Sequence, residues 1–326
     1  MENPSEVDLA ASLKACAAKL GLSRIGITGA SRPPNHDRYL EWIAKGHAAD
    51  LWYLTERTRV EKRRDLQRLL PGARSVIVAA LSYAPRQSQP PSDAKFGRYA
   101  WGKDYHRVLG RILGNLRDFL RSQVREPFQC TAHVDTGPIL ERSLAERAGV
   151  GWIGKNTCVI HESTGSYLFL GELITTLELP PDRPSVNRCG TCTRCLDACP
   201  TGALVAPFEL RSDRCISYQT LENRGGEIPL EIAAELDSWV AGCDICQEVC
   251  PWNRNPPVFS RDELRPLPHV FLSLAEVADL PAERFPELFG PTTLRRLGWT
   301  GLVRNARAAL RHRRGFPGLH PYSERV

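Results

Sequence analysis

CGTCTRCLDACP, residues 189–200, places four cysteines within eleven residues and closes on a proline. Its spacing, C-x2-C-x2-C-x3-C-P, is that of an iron–sulfur loop. Three thiolates converge on one [4Fe–4S] cube, and the fourth, one helical turn on, points toward a neighbouring cube. A second run, Cys243, Cys246, Cys250 and Pro251, repeats the last three positions of the pattern. Its missing thiol has a substitute in Cys215, which lies between the runs. The count then closes crosswise: Cys189, Cys192, Cys195 and Cys250 for one cube, and Cys199, Cys215, Cys243 and Cys246 for the other. Structural zinc also uses C-x2-C pairs, and eight thiols would serve two zinc sites. Zinc does not call for the crosswise run, but it stays as the plain alternative.

The remaining composition describes a globular protein. Of 326 residues, 42% are hydrophobic and 25% charged, enough for two domains with a sizeable core. The first ten residues, MENPSEVDLA, are acidic and carry neither an apolar signal core nor a twin-arginine pair. The densest apolar run, Ser75 to Ala84, is too short to span a bilayer and reads as a buried strand. The expectation is a soluble cytoplasmic protein without a membrane partner, whose eleven cysteines are not disulfides. Cys16, Cys130 and Cys158 stand apart from the runs and read as small buried residues.

Along the chain, helical spacing covers 7–20, 37–44, 50–70, 105–124 and 139–148. Strands are expected at 23–28, 75–83, 128–134, 155–161 and 167–176, with a polar loop at Pro85–Pro91. This alternation argues for an α/β or α+β layer domain over residues 1–180. LPPDRP (179–184) reads as a linker into a cysteine domain over 181–257, and 258–326 reads as a helical tail. No G-x-G-x-x-G follows a strand and no phosphate-binding P-loop is present, so a Rossmann nicotinamide or flavin site is unsupported. The residues themselves reach a soluble iron–sulfur oxidoreductase with an unidentified second centre.

The net charge of +6 is uneven. Arg57 to Arg74 holds seven Lys/Arg against two acids, and Leu294 to Val326 holds eight Arg against one. Arg304, Arg307, Arg311 and Arg314 recur every three or four residues, a stripe on one helix. This is either a solvated face or a surface for nucleic-acid phosphates.

HVDTGPILERSLAERAGVGWIGKNTCVI (133–160), RYAWGKDYH (98–106), the cysteine pattern and CDICQEVCPWN (243–253) together resemble the epoxyqueuosine reductase family over nearly the whole chain. The resemblance implies a nitroreductase-like cobalamin-binding domain joined to a ferredoxin-like domain with two [4Fe–4S] clusters. The implied reaction is the reduction of epoxyqueuosine to queuosine at the tRNA wobble position, the last step of queuosine formation, through cob(I)alamin fed by the clusters. It implies Asp135 as proton donor, with burial expected to raise its pKa. Asp104 and His106 are nearby rivals for that role. The plain alternative for Asp135 is a helix N-cap, which would keep it ionised. Arg57, Arg98, Lys155, Cys158, Leu170, Ser217, Arg224 and the Gly242–Cys243–Asp244 stretch are the implied cobalamin lining. The D-x-H-x-x-G motif fails by one residue after Asp104-x-His106, so the cobalt is expected to lack a protein histidine ligand. Expected partners are tRNA carrying epoxyqueuosine and an external donor of ferredoxin or flavodoxin type, with the chain acting as a monomer. LVRNARAALRHRRG (302–315) looks like the opening helix of a HEAT-like unit that must pack on the body here. The competing readings are a reductive dehalogenase-like enzyme acting on an organohalide, a non-catalytic ferredoxin fused to a tRNA-binding module, and a zinc RNA-binding protein.

Overall fold

The computed structural model describes residues 5–84, 92–257 and 261–313. The loop expected at Pro85–Pro91 and the last arginine of the stripe, Arg314, lie outside them. The central element is Ser75–Ser82 (β2), buried along its whole length. It pairs with Arg24–Gly29 (β1) on one side and Leu168–Thr175 (β4) on the other, and β4 pairs in turn with Cys130–His133 (β3). Every pair in this four-stranded sheet is antiparallel. The layout is therefore α+β.

The period-2 alternation of β2 explains its burial. Ile77, Ala79 and Leu81 face one core, shared with Leu9 and Leu13 of Glu6–Lys19 (α1) and with Leu109, Leu113 and Leu116 of Tyr105–Gln123 (α2). Val76, Val78 and Ala80 face a second core with Leu144 and Ala145 of Glu141–Arg147 (α3). Gly26 on β1 lets α3 approach: a Cβ there would sit 2.0 Å from the Ala148 carbonyl.

The helix expected over 50–70 is broken into three. Trp52–Thr55 ends at Glu56, whose carboxylate accepts from the Thr58 and Arg59 amides and restarts Arg57–Arg64. Asp65 turns extended and caps the short 3-10 turn Leu66–Arg68. Acidic N-caps override the helical periodicity. The expected strand over 155–161 shrinks to Val159–Ile160, paired with Trp152–Ile153. The stretch 179–184 has no regular structure, yet it is bolted to the sheet. Asp182 accepts from the Ile27 amide at 2.8 Å and its own amide donates to the Ile27 carbonyl.

A third core joins segments far apart in sequence, including Phe96, Trp101, Trp239, Leu274, Phe289 and Leu302. Lys95–Phe96 pairs in parallel with Trp239–Ala241. The final helix, Gly298–Arg313 (α4), closes this core through Asn305, whose buried amide donates to the Thr220 and Val240 carbonyls, each at 2.8 Å. The tail is thus part of the body.

Candidate active site and cluster centre

β3 ends at His133, and two residues later Asp135 takes a left-handed conformation, φ +57°. For a residue other than glycine this costs on the order of 1–2 kcal/mol unless its surroundings hold it. They do: the Asp135 amide donates to Glu141 Oε1 at 2.7 Å. Asp135 does not cap a helix. α3 starts at Glu141 behind Leu140, with no side-chain cap. Its carboxylate instead faces His106 on the first turn of α2, Oδ2 to Nε2 3.2 Å.

Asp104 fixes that imidazole. It is the N-cap of α2, accepting from the His106 amide at 3.0 Å, and it also meets His106 Nδ1 at 2.7 Å. Both ring nitrogens face carboxylates, and a carboxylate only accepts, so both must carry protons. Burial pulls the His106 pKa down, but the hydrogen bonds and charges of Asp135 and Asp104 outweigh it and leave the pKa raised. Asp135 departs from expectation. Burial does push it up, but the hydrogen bond and charge of His106, the Arg296 guanidinium and the Tyr105 hydroxyl together leave its pKa below the ordinary value. Half of its side chain is open to solvent. Both shifts favour the proton on the imidazole over the aspartate.

A ladder of rings backs this site. Tyr105 lies on His106 at 4.2 Å and on Phe169 at 4.1 Å between centroids, and Phe169 lies on Tyr83 at 4.3 Å. Tyr83 in turn neighbours Gln247, Asp244 and Cys158, at the edge of the cysteine segment.

Electrostatic proximity divides the eight thiols into two groups. Cys195 feels Cys250 and Cys189, and Cys250 feels Cys189 and Cys192. Cys215 feels Cys199; Cys243 feels Cys215 and Cys199; Cys246 feels Cys243 and Cys215. Cys158 lies between the groups, acting on Cys250 as well as on Cys215 and Cys246. Burial raises Cys195, to about 11, and Cys215, Cys243 and Cys250, with backbone amides lowering them and other thiols raising them. Thiols gathered in this way call for positive charge, which clustered iron would supply. Cys158, expected to stand apart as a small buried residue, instead neighbours Cys246, which lowers its pKa.

Residues 188–253 match the family profile described as a 4Fe-4S double cluster binding domain, and residues 63–136 match that described as Epoxyqueuosine reductase QueG, DUF1730. The chain is 42% identical over 310 residues to the epoxyqueuosine reductase of Gloeobacter violaceus, covering 92% of this chain and 95% of that one. The chain belongs to the epoxyqueuosine reductase family. The Synechocystis epoxyqueuosine reductase is 45% identical over 88% of this chain and all of its own length. A crystal structure of epoxyqueuosine reductase with an epoxyqueuosine-modified tyrosine tRNA stem loop superposes with TM-score 0.86 and 36% identity, covering 93% of this chain and 81% of that one. The centre over residues 188–253 is therefore iron–sulfur and not zinc. Among the described residues no helix is long and apolar enough to cross a membrane.

In this family member the remaining expected site residues fall in three places. Arg98, Gly242 and Asp244 meet: Asp244 accepts from the Arg98 amide at 2.7 Å, and the Arg98 guanidinium reaches the Tyr167 hydroxyl and Glu248. The Gly97 and Gly242 backbones touch beside the Tyr99 ring. Lys155 is tied to the first cysteine loop, donating to the Gly190 and Cys192 carbonyls at 2.7 and 2.9 Å. Leu170 packs partly buried on the sheet, Ser217 is half-buried, and Arg57 and Arg224 are exposed.

Four residues that sequence reasoning missed belong to this region. Arg296, ion-paired to Glu222 at 2.7 Å, acts on Asp135, Tyr99 and Tyr105. Tyr99 has a buried hydroxyl with no hydrogen-bond partner among the described residues. Glu141 and Glu172 lie behind Asp135. Only Glu172 carried a signal, a lone carboxylate in the apolar strand LFLGELIT. The arginine stripe also reads differently. Arg304 is spent on the Asn223, Gly226 and Gln219 carbonyls, while Arg307, which donates one bond to the Ala278 carbonyl, and Arg311 are exposed.

Proposed function

We propose that the chain reduces the epoxide of epoxyqueuosine in tRNA to the cyclopentene of queuosine, with Asp135 and His106 acting as one proton-delivering unit. The observation that carries this reading is the line Asp104–His106–Asp135, with the imidazolium between two carboxylates and the outer one half open to solvent. Loss of the epoxide oxygen as water takes up two electrons and two protons. Asp135 faces the reacting oxygen and passes on the proton that His106 holds, and the second proton comes from solvent, to which half of the Asp135 side chain is open, so no raised aspartate pKa is needed. Asp104 keeps the ring oriented, and the Tyr105 stack fixes its plane.

The electrons are assigned to bound cofactors. Cys189, Cys192, Cys195 and Cys250 would hold one [4Fe–4S] cluster, and Cys199, Cys215, Cys243 and Cys246 the other. Cobalamin, when bound, would supply the reductive cleavage of the carbon–oxygen bond. Arg57, Arg98, Lys155, Cys158, Leu170, Ser217, Arg224 and Gly242–Asp244 would line it. The unpartnered Tyr99 hydroxyl, in the wall built by Gly97 and Gly242, fits a large ligand rich in amides. Neither His106 nitrogen is free for a metal, in keeping with a cobalt that takes no protein histidine.

The tRNA backbone is assigned to exposed arginines: Arg311, and the Arg32, Arg64, Arg68 and Arg74 that line, with Glu61 and Asp65, an open groove of about 510 Å³. The reading includes a cytoplasmic monomer and an external low-potential donor of ferredoxin or flavodoxin type. The test is anaerobic protein reconstituted with iron, sulfide and cobalamin and given an epoxyqueuosine-bearing stem loop. The expected result is loss of one oxygen from the modified base by mass spectrometry. Iron-loaded protein that binds no corrinoid, or that leaves the base unchanged, contradicts it.

A further inference from the structure

Trp52, the first residue of the short helix Trp52–Thr55, is 66% exposed. Its neighbours serve the core instead: Leu51 is buried, and Tyr53 and Leu54 are half-buried. The ring stands on a fixed base. The Trp52 amide donates to the Asp50 carbonyl at 2.7 Å, and its carbonyl accepts from the Glu56 amide at 2.8 Å. The indole meets the Tyr53 ring edge-to-face, 6.1 Å between centroids and 86° between planes. Such a contact covers at most one face of the indole, and the other is free to cover a flat ligand. The base of the ring is tied to the Asp135 turn. The Tyr53 carbonyl accepts from Arg59 Nε at 3.1 Å, and Arg59 Nη2 donates to the Thr136 carbonyl at 3.0 Å. One guanidinium thus joins the residue after Trp52 to the residue after Asp135. Burial pushes the Tyr53 hydroxyl up to about 12, with the charges of Glu222, Arg296 and Asp135 also acting on it, in keeping with a ring that borders this site.

We infer that Trp52 is a stacking platform for a nucleobase adjoining the modified one in the anticodon loop. This rests on the tRNA and Asp135 assignments above and adds a contact outside the reacting nucleoside. Only Tyr53, Arg59 and Thr136 separate Trp52 from Asp135, so the base that it meets is a near neighbour of the reacting one. The helix that follows, Arg57–Arg64, carries five basic residues against the single acid Glu61. It is about 12 Å long and ends at Arg64, on the groove assigned to the RNA backbone. An exposed ring beside a run of cations is how proteins hold unpaired nucleotides: the ring takes a base face and the cations take phosphates. Stacking accepts any base, so Trp52 holds the loop without reading its sequence.

The test is binding rather than turnover. Reconstituted full-length protein is titrated into labelled anticodon stem loops that carry guanosine at the reacting position, and the Kd is read from fluorescence anisotropy. Trp52→Ala should weaken binding about tenfold, and Trp52→Phe should stay within about threefold of wild type. The salt slope should be the same for all three proteins, because stacking releases no counterions. Two further loops lack the base on the 5′ or the 3′ side of the reacting position. On one of them wild type and Trp52→Ala should bind equally, since the platform has nothing to hold. Equal binding of the intact loop by wild type and Trp52→Ala overturns the inference, as does a difference that survives on both abasic loops. A Trp52→Ala protein that loses cobalamin and keeps its RNA affinity would place the ring on the corrinoid and also overturn it. Wild-type protein that binds none of the loops overturns it too, while epoxide reduction is judged separately by turnover. Unreduced epoxyqueuosine with the Trp52 effect intact would instead overturn the proposed reaction and leave the platform standing.

Discussion

The eight clustered thiols and the groups around Asp135 are both sets of ionisable side chains, yet they are balanced in opposite ways. Burial raises Cys195, Cys215, Cys243 and Cys250, and further thiols act on each of them in the same direction, so the set calls for added positive charge. Around Asp135 the balance is internal: Asp104, His106 and Asp135 form an ion-paired line. One half of the molecule is built to take up iron and move electrons, the other to store protons within the chain. The ring ladder from His106 through Tyr105 and Phe169 to Tyr83 joins them.

The comparison breaks most visibly at the sulfurs. Cys246→Ser should lose about half of the reconstituted iron and all turnover, while far-ultraviolet dichroism stays unchanged, since the sheet core does not include it. Iron content equal to wild type would remove Cys246 from the ligand set.

His106→Gln should have a smaller effect, slowing turnover about 10–100-fold with iron content intact, because Asp135 loses its proton store. The same variant sharpens the electrostatic half. The raised His106 contributes stability fully present below its ordinary 6.5 and lost as pH climbs through its folded value. The depressed Asp135 contributes stability present above its ordinary 3.8 and lost as pH falls through its folded value. The Tm gap between wild type and variant should therefore peak near pH 5, on the order of 1–3 °C for so exposed a pair, and shrink toward pH 8. A gap that grows with pH would reverse the assigned charges.

Smaller still are the arginines. Arg304→Ala strips a donor from three carbonyls and should cost about 1–3 kcal/mol of stability with little change in the salt dependence of RNA binding. Arg311→Glu should leave Tm within about 1 °C and lower the salt slope by about one. Equal salt effects from the two would mean that the stripe acts as a unit.

How far each region was legible follows from the range of the interactions that build it. The thiol foursomes depend on loop spacing and on Cys215, so sequence distance alone orders them. The unbroken apolar run within Ser75–Ser82 likewise reports its two covered faces. The Asp135 turn was found through its surrounding motif, but its charge state was not. The protons depend on His106, 29 residues away, and on Arg296 from the far end of the chain. The stretch at 179–184 read as a linker from its prolines, whereas Asp182 ties it to β1. Arg304 looked like surface because helical spacing shows which residues share a face, not which carbonyls lie beneath them.

The central claim is that the cysteines hold the electron carriers while Asp135 hands over the proton. The most direct measurement is single turnover of an epoxyqueuosine-bearing stem loop by anaerobically reconstituted Asp135→Asn, with the cluster EPR signals recorded on the same sample. The account predicts reduced-cluster signals equal to wild type and conversion slowed about 10²–10⁴-fold. Conversion at the wild-type rate with those signals intact would contradict it.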